Sequence, residues 1–351
     1  MTNLPENNGS EHSIESHQAP IAPDQLQAQP LNADSPAASL PTPISPFNDQ
    51  PHPGPFVWPA APDDSQSGTE PPMFQAFTQP PPPIRIPHLG HLFLVSTLAL
   101  MGFVAAIGLF IAAVHFHLFG AKSIQQAGTQ IQYILGVEGA MYFFTFGAAL
   151  LVFPAVWHES LFAGLQWNLA TAVRLRWRLL TLAIVCFLLA WLNGELMPSP
   201  TNTPIEKVFR SPGAAWILFA FGVTVAPFFE EMFFRGFLLP ALCTAYDWIA
   251  ERITHFPPRP LGPNGHPQWS VAGMIVGSVA TSIPFAAMHA QQTGYAFGPF
   301  LLLIGVSLVL CAVRLVTRSL SSSVFVHASY NFLLFMVMLI GTGGFRHFEK
   351  M

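Results

Sequence analysis

Residues 225–241 read VAPFFEEMFFRGFLLPA. Apart from Glu230, Glu231 and Arg235, every side chain in this stretch is apolar. A charged group near the centre of a bilayer costs several kcal/mol, so three of them in one apolar helix mark a functional or structural cluster. Glu231 and Arg235 are four apart, share a helix face and can pair in the stabilising Glu-first order. Glu230 lies about 100° further round the helix and has no cation of its own, as suits a general base. A buried ion pair locking a helix interface is the simpler account of one Glu–Arg pair. A second glutamate weighs against it, because one carboxylate stays uncompensated.

Composition makes that apolar helix a membrane helix. Of 351 residues, 51% are hydrophobic and 9% charged, and mean hydropathy is +0.44; a soluble domain carries roughly 25% charged residues. These values exclude a soluble enzyme. With 14 Lys and Arg against 18 Asp and Glu, they also exclude a nucleic-acid binder. Three cysteines, Cys186, Cys243 and Cys311, all lie in apolar stretches and read as small hydrophobes rather than a disulfide framework. Residues 1–88 stand apart, with 20 of the 34 prolines, nine of the 18 acids and one basic residue, Arg85. Such a segment buries too little apolar surface to order itself, so a disordered tail is expected, with Pro80 to Pro83 as a polyproline spacer. It shows no basic and apolar signal-peptide pattern, and no lipidation cysteine is seen at either end.

Beyond the tail, apolar runs near the ~20 residues that cross a bilayer fall at 89–118, 131–157, 179–196, 213–246, 270–290, 297–317 and 320–341. The expected fold is an all-α, polytopic transmembrane helical bundle of seven spans, or eight if Pro227 divides the fourth. Residues 159–178, with Arg174, Arg176 and Arg178 among Leu, Phe and Trp, suit an interfacial amphipathic helix. Residues 251–268 read as a polar Pro/Gly loop. Seven spans put Arg85, the three arginines, Arg252, Arg259, Arg314 and Arg318 on one side, and Lys122, Lys207, Arg210, Arg346 and Lys350 on the other. Eight against five places the tail in the cytoplasm, the membrane being the cell's inner (plasma) membrane.

Two further segments carry polar groups where lipid forbids them. SIPFAAMHA (282–290) sets Phe285 and His289 four apart; SSSVFVHASYNFLLF (321–335) sets His327 and Asn331 on one face. The last two offer donors such as an oxyanion needs, although Asn and His also clamp helices together. Each motif is weak alone. The ordered set Glu-Glu-x-x-x-Arg, Phe-x-x-x-His, His-x-x-x-Asn resembles the CAAX-protease and bacteriocin-processing (CPBP) family of intramembrane glutamic endopeptidases, which includes the type II CAAX prenyl proteases.

The resemblance covers about residues 210–341 and implies a helical bundle with a cavity open to the cytosol. It implies Glu230 as base, His289 as the residue that binds and polarises the water, His327 and Asn331 as oxyanion donors, and Glu231 and Arg235 as tuning residues. The implied partners are the bilayer and a membrane-embedded or lipidated peptide substrate; no cofactor is called for. The chain thus divides into the tail (1–88), N-terminal helices with the interfacial helix (89–200) and a CPBP-like core (201–345).

Two other readings stand beside it. The glutamates with His289 and His327 could ligate zinc in a metalloendopeptidase, or the bundle could be a non-catalytic immunity or scaffold protein. The span map also carries a tension: Glu230 falls near mid-membrane, His327 nearer the cytoplasmic end and His289 near the opposite end. Glu138, beside Tyr133 and Gln132, reads as structural or interfacial. His115 and His117 read as headgroup-level residues, His255 and His266 as solvated, and Arg314 and Arg318 as a cytoplasmic anchor.

Overall fold

The structure, a computed structural model, describes residues 86–197, 211–262 and 265–346. All of the expected tail but its last three residues, and the boundary near residue 200, lie outside the described residues. Among those described there is no β-strand, and seven helices are long and apolar enough to cross a membrane. The protein is a multi-pass, all-α integral membrane protein. Helices prevail because hydrocarbon leaves no water to satisfy backbone polar groups, so each apolar run bonds within itself.

In chain order the helices are α1 (Leu89–His115), the short α2 (Ile124–Ala127), α3 (Ile131–Trp157), the short α4 (Leu161–Gly164), α5 (Leu169–Leu196), α6 (Gly213–Thr254), α7 (Val271–His289), α8 (Phe297–Thr317) and α9 (Leu320–Gly341). Helix α1 pairs with α3, α5 with α8 and α9, and α7 lies between α8 and the C-terminal half of α6. One apolar cluster joins α1, α3, α4, α6 and α9 through Val95, Phe153, Trp157, Leu161, Phe237 and Leu320. A second joins α5, α8 and α9 through Leu179, Ala183, Val306, Leu310 and Val326. The outer faces stay apolar: Phe93, Leu151 and Val316 are largely exposed, as suits lipid contact.

The interfacial helix expected over 159–178 is not formed. Ser160 caps only the single turn of α4, and Gln166 then takes a positive φ of 56°. Asn168 accepts from the Thr171 N–H at 3.0 Å and starts α5, which runs unbroken to Leu196. No glycine or proline interrupts residues 169–193, so nothing separates the arginines from the span. Arg174, Arg176 and Arg178 are exposed on its first turns, where their stems can lie along apolar surface and their heads reach water.

Helix α6 is one continuous helix of 42 residues, about 63 Å long at 1.5 Å per residue. It contains two π-helical turns, Phe221–Val225 and Met232–Leu238. Each is followed by a proline, Pro227 and Pro240. A proline ring clashes with the carbonyl four residues back, and the wider π-turn relieves that clash without ending the helix. Pro227 therefore does not split the fourth span.

Candidate active site

The heights of the polar residues follow from one anchor. Asp247 on α6 accepts from the Ser270 backbone N–H at 2.8 Å and from its hydroxyl, and Ser270 caps α7. Glu230 lies 17 residues back from Asp247, and His289 lies 19 residues on from Ser270. At 1.5 Å per residue both stand about 26–28 Å from the anchor. The helices also approach closely, since a Cβ on Gly277 would meet Cys243 Sγ at 2.6 Å. The tension in the span map thus disappears: α6 continues to Thr254 rather than stopping near 246, and its register against α7 brings His289 level with Glu230.

Around Glu230 the geometry is tight. Its Oε2 lies 3.8 Å from Nε2 of His289 and 3.8 Å from Nε2 of His327. Glu231, fully buried, receives Arg235 Nη1 at 2.8 Å and faces His327 Nδ1 at 2.9 Å through the same oxygen, Oε1. Arg235, also fully buried, donates from Nη2 to the Ser307 hydroxyl (2.6 Å) and carbonyl (3.1 Å) on α8 and lies over the Phe285 ring at 4.5 Å. His289 Nδ1 is 2.9 Å from the Phe285 carbonyl. A carbonyl only accepts, so Nδ1 carries the hydrogen and the lone pair of neutral His289 sits on Nε2, toward Glu230. Asn331 donates from Nδ2 to the Gly222 carbonyl at 2.8 Å. His289 and Asn331 are only half-buried.

All six candidate site residues drawn from the three motifs therefore lie on α6, α7 and α9, and five of them, Glu230, Glu231, Arg235, His289 and His327, are joined by the contacts just given. Asn331 is tied instead to α6 one π-turn away. Ser307 and the Glu138–Tyr142 pair had no motif to reveal them. Tyr142 donates to Glu138 Oε1 at 2.8 Å and stacks on Phe229 at 4.7 Å. Glu138, read from sequence as structural or interfacial, lies close enough for its charge to act on Glu230 and His289. The anchor expected of Arg314 is not formed: its side chain is buried and bonds to protein groups, while Arg318 is exposed. Among the described residues no group of three or more His, Cys, Asp or Glu is arranged to hold a metal ion.

Residues 212–333 match the family model described as type II CAAX prenyl endopeptidase Rce1-like. This segment is similar to the CAAX protease family. The matched segment contains Glu230, Glu231, Arg235, His289, His327 and Asn331, and it ends two residues beyond Asn331. No curated protein and no solved structure matches the chain. The matched segment is thus carried by a multi-pass membrane protein whose first three spans lie outside the match.

Proposed function

We propose that this protein is an intramembrane glutamic endopeptidase that hydrolyses peptide bonds of membrane-embedded or lipidated substrates. The observation that carries the reading is the position of Glu230 Oε2, 3.8 Å from both His289 Nε2 and His327 Nε2. That spacing is too long for a direct hydrogen bond and suits two groups that share one water. A water donating to the Glu230 carboxylate and to His289 Nε2 presents its oxygen lone pair to a substrate carbonyl. Glu230 takes the water proton as the oxygen attacks the carbonyl carbon, and returns it to the amine as the C–N bond breaks.

His327 is held by Glu231 through Nδ1, so its Nε2 faces the same space. From there Nε2 is the donor we assign to the developing oxyanion. The second N–H of Asn331 supplies the other donor, and its first, on Gly222, fixes the amide. Arg235 and Ser307 hold Glu231 in place. The helices keep bulk water from the reacting groups. We place the protein in the cell's inner (plasma) membrane with its N-terminus in the cytoplasm, an orientation the basic residues favour by seven against five once the buried Arg314 is set aside.

The test is cleavage of a panel of prenylated and transmembrane peptides by purified wild-type protein and Glu230→Gln, each with and without a strong chelator. Cleavage that survives the chelator and vanishes in the variant is expected. Chelator-sensitive cleavage moves the assignment to a metalloendopeptidase, and full activity in Glu230→Gln removes that residue from the mechanism.

A further inference from the structure

The two π-turns of α6 create the same backbone defect. After the first, the Ala226 N–H is given to the Phe221 carbonyl, five residues back. The next carbonyl, Gly222, would then need the N–H of residue 227, which is proline. After the second, the Leu239 N–H is given to the Phe234 carbonyl. The next carbonyl, Arg235, would need the N–H of residue 240, again proline. Each turn thus orphans one carbonyl inside a membrane helix, where no bulk water reaches it.

Each orphan is met by a side chain from another helix. Asn331 on α9 donates to the Gly222 carbonyl at 2.8 Å, and Arg314 on α8 donates from Nε to the Arg235 carbonyl at 3.2 Å. Arg314 is 1% exposed. Its remaining bonds run to Gln166 Oε1 (2.7 Å) and the Leu165 carbonyl (3.3 Å), so all three acceptors are neutral. Among the described residues no carboxylate pairs with this guanidinium, a costly burial that an ion pair there does not account for. Helix α8 therefore grips Arg235 twice. Ser307 takes its side chain, and Arg314, seven residues on, takes its main chain.

We infer that Arg314 is a positioning residue: it replaces the hydrogen-bond donor that Pro240 removes from α6, and so fixes the π-turn that aims Arg235 at Glu231. The effect on turnover rests on the peptidase reading; the effect on the helix does not.

The experiment compares Arg314→Met, Pro240→Ala, the double variant and Gln166→Ala in the full-length protein. Its readouts are cleavage kinetics and amide hydrogen exchange over residues 232–241. Losing a buried donor to an orphaned carbonyl is expected to lower kcat about 10- to 100-fold in Arg314→Met with KM little changed, and to raise exchange over the turn. Pro240→Ala restores an N–H within reach of the Arg235 carbonyl. In the double variant it is expected to recover most of kcat and of the protection, and alone to leave both near wild type. Gln166→Ala, which leaves the Nε bond in place, is expected to keep kcat.

Unchanged exchange and kcat in a folded Arg314→Met overturns the inference. So does a loss that Pro240→Ala fails to rescue, or an equal loss in Gln166→Ala, which would mark a packing role for the 165–166 loop. If Arg314→Met does not accumulate, the inference requires that the double variant does. If the wild type itself cleaves nothing, the peptidase reading fails, while the exchange data still decide the clamp.

Discussion

The α1–α3 pair and the α6–α9 group are built from similarly apolar helices but joined differently. Between α1 and α3 no side-chain hydrogen bond crosses among the described residues; Thr145, buried in that interface, bonds back to its own Met141 carbonyl at 2.7 Å. Small residues set the contact, since a Cβ on Gly102 would meet Thr145 Oγ1 at 2.7 Å. Among α6, α7, α8 and α9, charged and polar side chains cross repeatedly: Arg235 to Ser307, Arg314 to the Arg235 carbonyl, His327 to Glu231, Asn331 to Gly222. Shape alone is enough to join two helices in lipid. The second group accepts buried charge where shape would have served, and Arg235, Glu231 and His327 form a chain of contacts that ends at Glu230.

The sharpest way to break this contrast is at Glu230 itself. Glu230→Gln nearly keeps the volume and removes the proposed base, so cleavage is expected to vanish while detergent-solubilised protein stays folded by circular dichroism. Asn331→Ala is expected to cost about 100-fold in kcat, the usual scale for an oxyanion donor; wild-type kcat in the variant would take Asn331 out of the reaction.

A paired substitution then compares the two interfaces directly. Gly102→Leu and Gly277→Leu each overpack a close helix contact and are expected to cost about 1–3 kcal/mol of stability. Only the second moves α7 and hence His289 against Glu230, so it alone is expected to lower kcat/KM of the folded fraction. Equal kinetic losses in both would show that the bundle responds as a whole and that the contrast is false. The smallest effect is expected from deleting residues 1–85: turnover by the remaining helices should be unchanged, and its loss in a folded protein would place part of the function in the tail.

Much of the molecule was legible from the chain alone because lipid imposes one rule. A polypeptide in hydrocarbon must bond its own backbone, so apolar runs near 20 residues read as spans. The seven spans emerged within a few residues except at the third and fourth. There the reading failed at Arg174–Arg178, because three exposed arginines on the opening turns of a long helix have the same sequence pattern as an interfacial helix. Local motifs were legible for a similar reason: i, i+4 spacing places Glu231 by Arg235 and His327 near Asn331 whatever the fold does.

Register between helices carries no such local signal. Whether His289 stands beside Glu230 depends on where α7 is fastened to α6, and the Asp247–Ser270 contact that fastens it is a long-range pairing of ordinary polar residues. Arg314 looked like a membrane anchor because its position near a helix end is a sequence property, whereas the carbonyl it meets is orphaned by Pro240, 74 residues earlier. By itself, then, the sequence determined that this is a membrane bundle with three polar motifs on successive apolar segments, since hydropathy and helical spacing act within one segment. Only the tertiary structure decided that Glu230, His289 and His327 share a point and that Arg314 serves the backbone of α6, since those facts depend on contacts between segments.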